Sequence, residues 1–71
     1  GTAGYQYRGV SIRNRSGSRG RKMYEVDVTK FATEQFRSQF FESVERHKLF
    51  VDTLAKSVAM IDEMFESGDL A

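Results

Sequence analysis

Apolar and polar positions alternate in two stretches near the start of the chain. In residues 5–15, Val10 and Ile12 fall on one side, and Gly9, Ser11, Arg13 and Arg15 on the other. That period of two predicts a strand. In residues 23–29, Tyr24, Val26 and Val28 alternate with Met23, Glu25 and Asp27, which predicts a second strand. Between them, Ser16-Gly17-Ser18-Arg19-Gly20-Arg21 reads as a turn, with two glycines free to take positive φ. The pair is expected to form an antiparallel hairpin with a basic tip and one apolar face.

Residues 30–67 contain neither Gly nor Pro and admit two divisions. One is a single helix over 33–67, about 50 Å long, which a two-stranded hairpin cannot cover, so it demands a dimer or a bend. The other places a turn at 31–34, a third strand at 35–41, and a helix over 44–66 capped by Ser43. The second is preferred. Serine is a favoured N-cap, Glu45 sits where the helix dipole welcomes an anion, and Gly68 suits the C′ position. A three-stranded sheet under one helix also closes a core without a partner. The expected fold is therefore α+β, a three-stranded antiparallel sheet packed against one long C-terminal helix. The alternative is a β-hairpin plus a single very long helix, dimeric.

The predicted helix carries a stripe of Val44, His47, Val51, Leu54, Val58, Ile61 and Phe65, widened by Phe50, Ala55 and Met64. The stripe also fits an a/d heptad. Lying on the sheet is the plain use for it. The other is that roughly 35 Å of helix overhangs, and that its end around Met60, Met64 and Phe65 pairs with a second copy. One domain is expected over 5–67, with 1–4 a disordered or cloning-derived lead and 68–71 a frayed end.

Composition narrows the function more than the fold. At 71 residues the chain has room for one domain, and it buries only about 60% of its unfolded surface. It has no Cys and one His, which excludes disulfides, zinc fingers, cysteine nucleophiles and a His-rich metal site. No metal or other cofactor is expected. No apolar run approaches the ~20 residues of a membrane span, and no signal-peptide pattern opens the chain. The net charge of +1 hides a division. Residues 1–30 hold seven basic and two acidic side chains, giving +5; residues 31–71 hold four basic and eight acidic, giving −4. A basic half beside an acidic half suits a polyanion partner.

The possible catalytic groups do not assemble. His47 lies on the apolar stripe without a partner at triad spacing, and is expected to be structural. Glu42/Glu45 and Asp62/Glu63 read as solvated charge on an outer helix face. Residues 17–22 superficially resemble a phosphate loop but lack the GxxxxGK[ST] spacing and the strand-to-helix setting. Asn14-Arg15-Ser16 fits a glycosylation sequon, which matters only in a secreted chain. No enzyme activity and no small-molecule substrate are expected. What remains is the outer hairpin face, with Arg13 and Arg15 on the first strand and Arg19, Arg21 and Lys22 at the turn. Arg8 has the opposite phase and flanks the edge. A two-stranded ribbon fits the major groove, about 12 Å wide, where Arg binds guanine O6 and N7 and Glu25 could accept from a cytosine N4 amino group. Loop cations would hold phosphates. The plain alternative is a solvated sheet face, with Arg13 paired across strands to Glu25 or Asp27.

Tyr7-Arg8-Gly9-Val10-Ser11-Ile12-Arg13 resembles the opening "YRGV" strand of AP2/ERF-type DNA-binding domains. Lys22-Met23-Tyr24-Glu25-Val26-Asp27-Val28 is similar to their second strand. Phe41-Glu42-Ser43-Val44-Glu45 is similar to the step from third strand to helix. The resemblance spans about residues 5–66. It implies sequence-specific binding of double-stranded DNA through the sheet, in a nuclear transcription regulator. By position it implies contacts from Arg8, Ser11 and Arg13 on the first strand, Glu25 and Asp27 on the second, and Arg37 and Gln39 on the third. The chain departs from the family where Asp27 replaces a common basic residue, and where the third strand lacks the usual Gly and Trp. The rival expectation is an interaction module that homodimerises through its C-terminal helix.

Overall fold

The computed structural model describes residues 4–16, 20–40 and 47–71. Among these, the chain runs β1 (Gly4–Tyr7), β2 (Val10–Ser16), β3 (Lys22–Asp27), α1 (Glu34–Arg37), β4 (Lys48–Val51) and α2 (Leu54–Ser67). The strands form one antiparallel sheet in the order β1-β2-β3-β4. The α+β class, with an antiparallel sheet and a C-terminal helix, agrees with the sequence. The strand count and helix length do not.

The expected strand over 5–15 is two strands. Tyr7 pairs with Val10 around a two-residue loop. Arg8 and Gly9 both take left-handed backbone there, at φ 52° and 83°. Such primed turns match the twist of the flanking strands and favour residues that tolerate positive φ. Gly9 does so at no steric cost. Arg8 is held by its side chain: Nη1 lies 3.2 Å from Asp62 Oδ1, and the guanidinium sits 4.2 Å above the Phe65 ring.

The third strand expected at 35–41 is not found in its described residues, 35–40, which begin instead in a helical turn, while Phe41 lies outside the described residues. Thr33 caps α1, its hydroxyl accepting from the Phe36 N–H at 3.4 Å. Phe36 and Phe40, four apart, stack edge-on at 5.2 Å, as helical spacing allows and strand alternation does not. The strand next to β3 is instead β4, with Val26 opposite Leu49 and Glu25 opposite Phe50. These residues fall inside the helix expected over 44–66. Helix α2 starts only after Thr53, which caps it by accepting from the Lys56 N–H at 3.1 Å, and it has 14 residues. It is about 21 Å long, so both the overhang and the single very long helix are overturned. The expected cap Ser43 and stripe residue Val44 lie outside the described residues.

Val10, Ile12, Val26 and Val28 of the sheet side meet Ile61 and Met64 of α2 in the core, joined by Ala32, Phe36 and Leu70. Ser57 is fully buried, and its hydroxyl donates to the Thr53 carbonyl at 3.1 Å. Gly68, expected to end the helix, does so in left-handed backbone at φ 90°. The chain end packs back onto the body. Leu70 is buried, its N–H donates to the Met64 carbonyl, and it bridges to Ala32.

Candidate nucleic-acid interface

Strand alternation divides the sheet into a helix side and an outward side, because Val10, Ile12 and Val26 are spent on the core. The registers place the intervening residues in transverse rows on the outward side. One row runs Gln6, Ser11, Asp27, Lys48; the next runs Gly4, Arg13, Glu25, Phe50; beyond it Arg15 faces Met23. Arg13, Arg15, Gln6 and Phe50 are exposed. Gln6 and Ser11 border both of two open depressions of about 500 and 450 Å³.

Among the described residues, β1 pairs as far as Arg13 and β4 as far as Tyr24, whereas β2 and β3 are paired out to Ser16 opposite Lys22. Arg15, Met23, Lys22 and Arg21 therefore stand at the far end of the β2–β3 hairpin. Arg21 and Lys22 are exposed. Arg19 lies outside the described residues.

Glu25 is the electrostatic centre of this side. Its side chain is only 7% exposed, with Arg15 Nη2 at 3.5 Å from one carboxylate oxygen and Lys48 Nζ at 3.6 Å from the other. The ion pairs to Glu25, which the plain alternative gave to Arg13, are made by Arg15, diagonal to Glu25, and by Lys48. With both oxygens engaged, Glu25 is poorly placed to accept from a cytosine. Asp27 Oδ1 accepts from the Thr29 hydroxyl at 2.6 Å and from its N–H at 3.1 Å, closing the turn after β3.

Three other candidates lie away from this cluster. Arg8 turns toward α2, as described, where the Tyr7 hydroxyl also donates to Asp62, at 3.0 and 3.1 Å from its two oxygens. That hydrogen bond holds the Tyr7 phenol above its ordinary pKa of 10.0. Arg37 is on α1, 3.8 Å from Glu34, and the Gln39 amide donates to the Gln35 carbonyl at 3.4 Å. With no strand among described residues 35–40, neither stands on the sheet. Lys48 and Phe50 were missed by the sequence reading. Their signal was the alternation of Lys48 and Phe50 with Leu49 and Val51, overlooked because His47, Val51 and Leu54 also fit a helical step. His47 is buried against the Phe36 and Phe40 rings, 5.5 and 5.1 Å away between ring centres.

Among the described residues no group of three or more His, Cys, Asp or Glu could hold a metal, and no helix is long and apolar enough to cross a membrane. A scan against protein-family models and searches of curated proteins and of solved structures find no match to this chain.

Proposed function

We propose that this chain is a module of a transcription regulator that binds double-stranded DNA sequence-specifically, with β2 and β3 entering the major groove. One observation carries the reading. The outward side and the end of the β2–β3 hairpin carry exposed Arg13, Arg15, Arg21 and Lys22. A two-stranded ribbon is of a size the groove admits, and Arg is its commonest direct reader. In this mechanism Arg13 forks to guanine O6 and N7, while Arg21 and Lys22 neutralise phosphates and set register. Ser11 and Gln6 offer shorter polar contacts beside Arg13. Glu25 acts as an internal counter-ion that fixes Arg15 and Lys48, rather than as a base reader. Arg8, Arg37 and Gln39 have no part in it.

The kinship with AP2/ERF-type domains and a nuclear location belong to the same proposal. No catalytic group is needed. Homodimerisation through the C-terminal helix has less support, because Ile61 and Met64 of its apolar stripe are buried within one chain.

The test is binding to randomised duplexes across a salt series. Affinity falls with salt at a log–log slope of about −0.9 per phosphate contacted. Arg13→Ala relaxes base preference, whereas Arg21→Ala weakens all sequences alike. A salt-independent affinity, or the reverse assignment of the two variants, contradicts the mechanism.

A further inference from the structure

We propose that Phe50 is a base-reading residue: its ring, flanked by Met23, packs against the C5-methyl group of a thymine in the major groove. The inference rests on the duplex-binding reading and adds a specificity determinant to it. Phe50 is 56% exposed, against 43% for Tyr5 and 41% for Phe40, the other exposed large hydrophobics among the described residues. Those two have structural surroundings. Tyr5 lies on the helix side of β1, opposite Ile12, and Phe40 stacks on Phe36 and His47.

Phe50 has no such use. It stands on the outward side of β4, in one row with Arg13 and Glu25, and diagonal to Met23. Diagonal neighbours on a sheet face are about 7–8 Å apart, within reach of an aromatic ring. An antiparallel sheet with one solvated face normally carries polar residues there. Here an aromatic and a thioether stand among Arg13, Arg15 and Lys48, which outnumber the carboxylates of Glu25 and Asp27 on this side, so a partner that covers the ring is favoured when it also presents negative charge. Duplex DNA meets both conditions. Its phosphates suit the cations, and the thymine methyl is the apolar group its major groove displays. Single-stranded nucleic acid would need a succession of stacking platforms, and among the described residues this face has one aromatic ring.

The experiment compares the duplex selected by the wild-type chain with copies in which each thymine is replaced in turn by deoxyuridine, which lacks only the methyl group. Wild type loses about fourfold in affinity at one position, the worth of one buried methyl. Phe50→Ala binds the thymine duplex more weakly and no longer distinguishes it from the deoxyuridine copy, while its salt slope and circular dichroism stay unchanged. Phe50→Leu retains part of the discrimination. Equal wild-type affinity for every deoxyuridine copy overturns the proposal and leaves duplex binding standing, as does discrimination that survives in Phe50→Ala. Preference for single-stranded oligothymidine, lost in Phe50→Ala, overturns it in favour of stacking. No duplex binding at low salt overturns both this inference and the function it rests on.

Discussion

A methyl group added to Gly9 would lie 2.9 Å from Phe31 Cζ, on a backbone at φ +83°. Gly9→Ala therefore meets both a steric and a conformational cost, together about 1–3 kcal/mol, read as a lower denaturation midpoint. Glu25 tests the opposite kind of sensitivity. Glu25→Gln keeps the shape of the side chain and removes its charge, so duplex affinity rises, most at low salt, with little change in stability because Arg15 is half-exposed. Replacing both Arg15 and Lys48 by Ala instead leaves a carboxylate that is 7% exposed without its cations, and costs about 1–3 kcal/mol. Tyr7 predicts a pH dependence. Its raised pKa means that the folded chain holds the phenolic proton more tightly than the unfolded chain. The stability this adds is complete below the ordinary value of 10.0 and is lost as pH rises through the raised one. Tyr7→Phe removes that alkaline loss from a plot of denaturation midpoint against pH.

At the scale of elements, α2 depends on Thr53 and Ile61. Thr53→Ala removes the cap that accepts from the Lys56 N–H and costs about 1 kcal/mol. Ile61 is fully buried against the sheet, so Ile61→Ala costs about 2–5 kcal/mol. Thermal unfolding followed by circular dichroism checks both. The β2–β3 hairpin and its buried face were legible because Val10 and Ile12 and then Tyr24, Val26 and Val28 keep a strict period of two. The C-terminal half of the helix stripe was legible for the same kind of reason, and Gly68 marked its end. The split of the first strand was not. Arg8 is not a residue that advertises left-handed backbone, and its partners Asp62 and Phe65 lie more than fifty positions away in the chain. β4 was hidden because His47, Val51, Leu54 and Val58 step by three or four across an element boundary, so a strand and a helix shared one apparent period. Of the candidate site, Arg13, Arg15, Arg21 and Lys22 followed from local pattern. Lys48 and Phe50 required knowing that β4 pairs with β3, and Arg37 and Gln39 fell away because described residues 35–40 form no strand.

At the scale of the molecule, charge on the described residues is unevenly placed, although Glu25 and Asp27 share the outward side with the cations. Arg13, Arg15 and Lys48 lie on the outward side of the sheet, while Glu63 and Glu66 are exposed on α2, across the core. That asymmetry would orient the chain toward a polyanion before contact and make its association rate fall with ionic strength. The most direct measurement is a titration of isotopically labelled protein with the selected duplex, followed by backbone amide NMR. The account predicts shifts concentrated on Arg13, Arg15, Arg21, Lys22 and Met23 and on Lys48 and Phe50 of β4, with the exposed face of α2 unmoved. Shifts centred on α2, or none at low salt, would contradict it.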